Sequence, residues 1–387
     1  MLTGDGYRRH RKSWVARAPA GKDADIMASG KRILCLDFGT KPGAEPTAIS
    51  RKGLALLRER SEVEARPLGG VSADETKRQV LAELPGADAV VLSPWCQFPL
   101  AVTPDVLDSA RRLKVIAGTF DNRFAGWVNL ADLTSRGIAL IDTSRDMTPT
   151  VAEFAFAMTL NLLRDIPALL ELARGGGWNS YAYSCEPREV PFVFGDLHGR
   201  RIGLAGFGSI NRHYARFAAP FGCRMEAFDP NVSDTTLADH GVTRAGSLVA
   251  LARGCEIFVV GIPPTPSTLE VISAEVINAL PPGSLFVLVT RMAVVHQPSL
   301  WDRIRRNELR AAIDVFDPEP PPADAWFRRH PNCLCSPHVA GGVFYCHERC
   351  FLTACADALA VVEGRAPVYA ATPRDAAIYA GQPAGGA

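Results

Sequence analysis

RIGLAGFGSIN, residues 201–211, is an apolar strand-like run that leads into a glycine turn and then into the helical pattern INRHYARFAAPF. Gly206 and Gly208 match the first two glycines of the pattern G-x-G-x-x-G. The first allows a tight turn, and the second lets a pyrophosphate approach the backbone at the helix N-terminus. Asn211 stands at the third position, where glycine ordinarily serves close packing of the helix on the strand.

The next strand-like run, CRMEAFDP, ends in Asp229. A carboxylate there can accept hydrogen bonds from ribose hydroxyl groups and would repel a 2′-phosphate. We therefore predict that the nucleotide is NAD rather than NADP. A glycine turn in an unrelated α/β fold stays an alternative, but the order of strand, turn, helix, strand and acid favours a dinucleotide site.

Strand-like and helix-like patterns alternate on both sides of this segment. The strand-like runs before it are RILCLDF, EVEARPL, DAVVLS, LKVIAG and IALIDT, and those after it include EIFVVGI, SLFVLVT, LRAAIDV and CLCSP. Such alternation predicts an α/β protein with parallel sheets covered by helices on both faces. A chain of 387 residues is long for one core and natural for two domains.

The predicted domain boundaries follow the composition. The parts are a flexible N-terminal extension at 1–30, a discontinuous first domain at 31–147 and 342–370, a second domain at 148–341, and a disordered tail at 371–387. The long apolar segment that starts at Thr148 predicts a helix buried between the domains and kinked at Pro167. The helical pattern after residue 342 predicts a return to the first domain. Residues 1–30 lack the apolar run of a secretory signal.

Composition argues against several classes of partner. Apolar residues make up 47% of the chain and the formal net charge is +1, which gives no support for a nucleic-acid or anionic-membrane surface. The apolar runs are too short or too interrupted to cross a bilayer. Ten scattered cysteines, several in apolar runs, fit buried thiols in a reducing compartment and predict a cytoplasmic protein. No metal is predicted; zinc near Cys346, Cys350, Cys355 and His347 is a weaker alternative, since no CxxC pair is present.

Three reactive side chains follow strand-like runs late in the chain. Arg291 follows SLFVLVT, Glu319 lies in DPEP after AAIDVF, and His338 follows CLCSP. Arginine can grip a carboxylate with two parallel hydrogen bonds. A carboxylate beside histidine stabilises the imidazolium, and histidine can pass a proton to a substrate oxygen. The alternatives are a surface salt-bridge arginine, an exposed glutamate in a proline-rich turn and a structural histidine, but together the three favour reduction of a 2-oxo acid.

With these motifs in this order, the chain resembles the D-isomer-specific 2-hydroxyacid dehydrogenases over about residues 88–365. The segments that carry the resemblance are VAEFAFAM at 151, GLAGFGSIN at 203, IPPTPST at 262, LVTR at 288, AAIDVFDPEP at 311 and SPHVAGG at 336. The resemblance implies two Rossmann-like domains, a flavodoxin-like substrate domain and an NAD-binding doubly wound parallel sheet, with an interdomain cleft. It also implies a homodimer formed through the helix at 148–173.

The resemblance assigns site residues one by one. Its catalytic residues fall on Arg291, Glu319 and His338, and its nicotinamide carboxamide contact falls on Asp314. The implied cofactor contacts are Gly206, Gly208, Ser209, Ile210, Asp229, Pro230, Ile262, Pro263, Thr268, Val289, Thr290, Asp314, His338 and Gly341. The implied substrate contacts are Gly118, Thr119 and Arg291, together with Trp95 and Gln97 on another loop.

The chain departs from the family pattern around this site. Leu288 stands where the family has asparagine, Met292 and Ala293 stand where it has two glycines, His296 replaces an aspartate, and Gly261 replaces a histidine. These departures leave the three catalytic positions intact. They indicate a divergent member with altered surroundings on the cofactor side of the site.

The expected activity is NADH-dependent, reversible reduction of a small 2-oxo acid to a D-2-hydroxy acid. Two alternatives stay open. The first is a reductase of a specialised pathway that acts on an atypical oxo substrate, and the departures around Arg291 motivate it. The second is an NAD-sensing binding protein without activity, against which the three retained catalytic residues argue.

Overall fold

The structure is a computed structural model that describes residues 30–94, 96, 98–120, 123–178, 192–373 and 375–376. The strands are β1 Arg32–Asp37, β2 Glu62–Pro67, β3 Ala89–Leu92, β4 Val115–Gly118, β5 Ala139–Asp142, β6 Arg201–Ala205, β7 Arg224–Phe228, β8 Val242–Arg244, β9 Ile257–Val260, β10 Ser284–Leu288, β11 Leu309–Ile313 and β12 Cys333–Cys335. The helices are α1 Ala48–Arg58, α2 Ala73–Glu83, α3 Pro104–Ser109, α4 Leu130–Ser135, α5 Thr148–Arg164, α6 Ile166–Arg174, α7 Ser209–Ala218, α8 Asp234–Ala238, α9 Leu248–Gly254, α10 Ala274–Ala279, α11 Gln297–Arg305 and α12 Phe344–Val362.

Within these residues the strands form two parallel sheets. The first has five strands in the order β2-β1-β3-β4-β5, and the second has seven in the order β12-β11-β10-β9-β6-β7-β8. The first is the flavodoxin-like order, and the second reverses direction between β6 and β9, as doubly wound dinucleotide-binding sheets do. The predicted α/β class with two Rossmann-like sheets is confirmed. The reversal puts a ligand crevice at the carboxyl ends of the strands.

Buried apolar side chains cover both faces of each sheet. The strands β3, β9, β10 and β11 are buried along their whole length. Continuous apolar runs of this kind are what a parallel strand needs when helices cover both of its faces. The apolar pattern therefore indicates which strands lie in the middle of each sheet.

The long apolar segment after Thr148 is two helices rather than one kinked helix. The break lies at Asp165, whose φ of 56° and ψ of 35° are left-handed, and Pro167 falls in the first turn of α6. Proline is well tolerated there, because the N–H group that it lacks would have no partner within the helix. Arg310 of β11 stabilises the break by donating to the carbonyl oxygen of Leu162 and to Oδ1 of Asp165. The predicted kink at Pro167 is thus placed two residues too late.

The helix α12 lies on the first sheet although it follows the second sheet in the chain. Its Phe351, Ala354 and Cys355 are fully buried and pack with Ile33 and Cys35 of β1. The chain therefore crosses between the two sheets twice, before α5 and again before α12. The discontinuous first domain and its boundaries stay a prediction.

Two further properties concern the predicted partners. In the part of the chain that the structure describes, no helix combines the length and the apolar character needed to cross a membrane. Over the same residues, no group of three or more His, Cys, Asp or Glu side chains is arranged to hold a metal ion. The zinc alternative near Cys346 and Cys350 therefore has no ligand set there.

Candidate active site

The glycine turn after β6 has the geometry of a phosphate-binding turn. Gly206 has φ +77°, and a Cβ atom on it would lie 2.9 Å from Cγ1 of Ile262, so a larger residue does not fit. Gly208 precedes α7, and apart from its two chain neighbours no atom of the described residues lies within 4 Å of the place that its Cβ would take. A pyrophosphate fits in this open space, because the N–H groups of the first helical turn point toward it.

Asp229 lies beside this turn at the end of β7. Its Oδ2 accepts a hydrogen bond of 2.8 Å from the backbone N–H of Phe207, and its Oδ1 accepts one of 2.8 Å from Asn231. An ionised carboxylate has about four acceptor positions, so capacity remains for ribose hydroxyl groups. The residues present therefore fit a dinucleotide, and Pro230 follows Asp229 at the same edge of the sheet.

Ser209 and Ile210 form the first turn of α7, as predicted. The hydroxyl oxygen of Ser209 lies 2.8 Å from that of Thr148 at the start of α5. Ile210 packs on the apolar cluster beneath the turn. The first turns of two helices therefore meet beside the proposed pyrophosphate position, a contact that the sequence did not indicate.

Two predicted cofactor contacts, Thr268 after β9 and Thr290 after β10, differ in the hydrogen bonds of their hydroxyl groups. Thr268 donates a hydrogen bond to the carbonyl oxygen of Pro263 and accepts one from the N–H of Thr265, so its hydroxyl stabilises the loop that begins at Ile262. Thr290 is buried with Val289, and within the described residues its Oγ1 has no hydrogen-bond partner. A buried hydroxyl without a partner at the carboxyl end of a central strand fits a contact with a bound cofactor.

The three residues predicted to be catalytic follow three adjacent strands. The registers pair Leu288 with Ile313 and Ile313 with Cys335, so β10, β11 and β12 end level with one another. Arg291, Glu319 and His338 follow these ends in turn. The Nδ1 atom of His338 lies 2.7 Å from Oε1 of Glu319. The guanidinium of Arg291 donates to the carbonyl oxygen of Thr290. The arrangement provides a guanidinium, on Arg291, that can bind a carboxylate. It also provides an imidazole, on His338, that is held by the carboxyl group of Glu319.

Asp314 anchors the loop that carries His338. It is fully buried, and its Oδ1 accepts from the Ser336 hydroxyl at 2.6 Å and the Val339 N–H at 3.0 Å, while its Oδ2 accepts from the Ala340 N–H at 2.9 Å. These bonds fix the loop in which His338 has φ +53°, a left-handed conformation uncommon for residues other than glycine. The predicted carboxamide contact stays a prediction. Sequence reasoning missed Ser336, although a hydroxyl two residues before His338 was visible.

The predicted substrate loop is tightly packed in the first domain. A Cβ on Gly118 would lie 2.6 Å from Cζ of Phe120. The hydroxyl of buried Thr119 lies 2.8 Å from that of Thr143, so only backbone N–H groups of this loop suit the predicted role. Trp95 and Gln97 lie outside the described residues.

The second crossing between the sheets directly follows His338. A Cβ on Gly341 would overlap Cε of Met147, which lies at the first crossing. The two connections therefore touch behind His338. We infer that a side chain larger than hydrogen at residue 341 would push them apart.

Two further histidines have structural surroundings. His213 stacks on Phe217 with ring centroids 6.4 Å apart, and burial lowers its pKa, with a smaller effect from Arg216. Burial also lowers the pKa of His347 on α12. Both lowered pKa values disfavour the imidazolium form, which suits packing better than the binding of an anionic substrate.

Three of the departures from the family pattern, Leu288, Met292 and His296, have structural surroundings. Leu288 and Met292 are buried in the apolar cluster of the second sheet. His296 caps α11, where its Nδ1 accepts from the N–H of Ser299, a bond that aspartate makes equally well. Gly261 lies against the side chain of Asn211. The environment of Leu288 and Met292 gives no reason to expect an altered substrate.

Comparison with known proteins agrees with this geometry. Residues 156–340 match the family described as D-isomer specific 2-hydroxyacid dehydrogenase, NAD binding domain. The D-3-phosphoglycerate dehydrogenase of Methanocaldococcus jannaschii is 26% identical over 277 residues, which are 70% of this chain and 48% of that protein. This chain thus spans about half the length of that relative. The glyoxylate reductase of Thermococcus gammatolerans is 27% identical over 310 residues, 78% of this chain and 86% of that protein.

A solved structure from Thermus thermophilus superposes with a TM-score of 0.63 at 28% identity, covering 88% of this chain and all of the other. The coverage includes both sheets, so the likeness extends beyond the cofactor domain. The predictions of the family and of an NAD-binding domain are therefore confirmed. Residues 156–340 therefore match the NAD-binding domain of the D-isomer-specific 2-hydroxyacid dehydrogenase family, and the chain is similar to members of that family over most of its length.

Proposed function

We propose that this protein is an NAD(H)-dependent oxidoreductase that interconverts a 2-oxo acid and a D-2-hydroxy acid. The observation that carries the proposal is the contact of 2.7 Å between His338 and Glu319 at the edge of the sheet that bears the glycine turn. An acid–base pair beside a dinucleotide site suits the reduction of a carbonyl group. The D configuration rests on the family alone.

Each residue has a role in this proposal. Bound NADH supplies the hydride that adds to the C2 carbon of the substrate. Arg291 binds the substrate carboxylate, with backbone N–H groups of Gly118 and Thr119 as further donors. His338 donates a proton to the C2 oxygen as the carbonyl bond becomes a single bond. Glu319 stabilises the imidazolium before the transfer and orients the ring.

The substrate class rests on the relatives and on the charge at the site. The proteins compared above include a glyoxylate reductase and a D-3-phosphoglycerate dehydrogenase, whose names both refer to carboxylic acids. Arg291 suits that shared carboxylate. We therefore propose a small 2-oxo acid and leave its side chain open.

The test follows NADH absorbance with a panel of 2-oxo acids, which includes glyoxylate, pyruvate, hydroxypyruvate and phenylpyruvate. Wild type should turn over at least one of them, and His338→Ala should lose turnover while it still binds NADH. Binding is measured separately by NADH fluorescence. If wild type binds NADH and turns over none of a broad panel, the dehydrogenase proposal is wrong, and the NAD-sensing alternative gains support.

We also propose that the protein is a homodimer, as the family resemblance implies. Ile166 and Leu170 of α6 are exposed by 37% and 48%, and this helix has no buried residue in the single chain. Exposed apolar residues beside the long helix α5 suit an interface between two copies. A monomeric mass in light scattering would contradict this.

A cytoplasmic location is proposed on the state of the cysteines. The nine cysteines among the described residues are free thiols, and Cys35, Cys255 and Cys355 are buried in the cores. Free thiols in this number suit a reducing compartment. Fractionation of cells followed by immunodetection tests the location, and recovery in a secreted fraction would contradict it.

A further inference from the structure

Two departures from the family pattern, Asn211 and Gly261, occupy one and the same space. Asn211 stands where the motif has its third glycine, and it is fully buried. A Cβ atom on Gly261 would lie 2.5 Å from Cγ of Asn211, and its three nearest atoms would all belong to the amide end of that side chain. Gly261 has no positive φ. The Asn211 amide, and not the backbone conformation, is therefore what excludes a side chain at residue 261.

The amide that fills this space also holds the glycine turn. Nδ2 of Asn211 donates a short hydrogen bond of 2.7 Å to the carbonyl oxygen of Gly206, and it makes longer contacts of 3.3 Å and 3.5 Å with the carbonyl oxygens of Ala205 and Val259. The N–H of Phe207, at the other end of the same peptide unit, donates to Oδ2 of Asp229 at 2.8 Å. A peptide unit is planar, so fixing its carbonyl also fixes the direction of its N–H. Asn211 is thereby connected to the carboxylate proposed to read the ribose.

Simple space filling does not account well for this side chain. Within the described residues, Oδ1 of Asn211 is buried and has no hydrogen-bond partner. A buried polar atom without a partner is unfavourable, and an apolar residue could fill the space without that cost. The bond from Nδ2 to the turn is what distinguishes asparagine from such a residue.

We propose that Asn211, for which Gly261 makes room, is a positioning residue of the dinucleotide site. It fixes the Gly206–Phe207 peptide, and through that peptide it holds Asp229 where the carboxylate accepts from the ribose of NADH and repels the 2′-phosphate of NADPH. The inference rests on nucleotide binding by this domain and not on the proposed reaction. Wild type that binds NADH without turnover would contradict the proposed function and leave this inference intact.

The test is a set of titrations that measure Kd for NADH and for NADPH by fluorescence. Asn211→Ala should weaken NADH binding roughly 2- to 10-fold, as expected for one lost hydrogen bond, and should lower the preference for NADH over NADPH. Asn211→Ala in an Asp229→Ala background should lower that preference no further, because the effect passes through Asp229. If Asn211→Ala leaves the ratio of the two Kd values unchanged, the residue only fills space and the proposal is wrong.

A double-mutant cycle tests the claim that Asn211 and Gly261 share one space. Gly261→Ala should weaken NADH binding more than Asn211→Ala does, because the new methyl group displaces the amide and disturbs the turn. The double variant Asn211→Ala, Gly261→Ala should return to the level of Asn211→Ala, since the clashing atoms are gone. Additive losses would overturn the claim that the two residues share one space.

Two controls keep the result interpretable. Gly246→Ala changes a glycine near the same sheet, where an added Cβ has no described atom within 4 Å apart from the two chain neighbours, and it should leave both Kd values unchanged. Thermal unfolding of each variant measures the effect on stability. If Asn211→Ala does not fold, Asn211→Gly, the residue of the motif itself, replaces it with the same expected fall in NADH preference.

Discussion

The Nδ1 atom of His338 lies 2.7 Å from Oε1 of Glu319, although the two residues are 19 positions apart in the chain. The pair is formed because β11 and β12 are parallel neighbours whose carboxyl ends meet at one edge of the sheet. Both side chains are about one third exposed, so a substrate can approach them. Because of this contact, a substitution of Glu319 can test whether its negative charge supports proton transfer by His338.

Glu319→Gln should lower kcat for 2-oxo acid reduction by about 10²- to 10³-fold, within the range of general acid–base catalysis. The amide can still contact Nδ1, but it no longer stabilises the imidazolium by charge. Stopped-flow measurement of NADH oxidation checks the rate. The Kd for NADH should stay within about twofold of the wild-type value, because Glu319 is not among the predicted cofactor contacts. An unchanged kcat would show that Glu319 is not part of the proton transfer.

Asp314→Asn should destabilise the protein by about 1–3 kcal/mol, the cost of leaving a buried donor without its acceptor. The amide cannot accept at both oxygen positions, so at least one of Ser336, Val339 and Ala340 loses its bond. We also expect kcat to fall, because the loop that holds His338 loosens. Urea unfolding followed by circular dichroism gives the change in free energy.

The control for this prediction is Ser336→Ala, which removes one of the three bonds to Asp314 and leaves the carboxylate. It should cost about 0.5–1.5 kcal/mol, the usual net value of one hydrogen bond. If Asp314→Asn is no more destabilising than Ser336→Ala, the anchoring role assigned to Asp314 is wrong.

The sequence placed Arg291, Glu319 and His338 correctly after three strands because parallel strands bring their carboxyl ends to one edge. The positions of the strands can be predicted because each strand is a short, continuous apolar stretch of the sequence. The glycine turn was readable for the same reason, since Gly206 needs a positive φ that other residues avoid.

The features that could not be predicted from the sequence depend on contacts between residues that are far apart in the chain. The helix break lies at Asp165 and not at Pro167, because Arg310, 145 positions away, binds the carboxylate of Asp165. The hydroxyl of Thr119 is taken by Thr143, and the loop carrying His338 depends on Asp314. A local pattern carries no information on these contacts.

Arg291→Lys should raise KM for the 2-oxo acid about 10- to 100-fold, because lysine keeps the charge but loses the two parallel hydrogen bonds of the guanidinium. Arg291→Ala should raise it further. The Kd for NADH should be unchanged in both variants, which separates substrate binding from cofactor binding. Steady-state kinetics at saturating NADH measures KM. Equal KM for wild type and Arg291→Lys would contradict carboxylate binding by two hydrogen bonds.

Arg310→Met should destabilise the fold by about 3–5 kcal/mol, because it removes a guanidinium that pairs with the buried carboxylate of Asp165. The Arg310 guanidinium lies 2.6 Å from Oδ1 of Asp165, and both residues are buried. The matched control is Arg306→Met, whose partners are the exposed Asp302 and the partly exposed Glu308. The control should cost less than about 1 kcal/mol.

Unfolding in guanidinium chloride, analysed with one m-value for all variants, measures the free energy of unfolding of Arg310→Met and of Arg306→Met. Adding Asp165→Asn to Arg310→Met should recover part of the loss, because the buried charge disappears while asparagine still tolerates the left-handed conformation at residue 165. Equal losses for Arg310→Met and Arg306→Met would mean that the break between α5 and α6 is stable without the buried ion pair. Recovery only in the double variant would identify the buried charge of the Asp165 carboxylate as the cause.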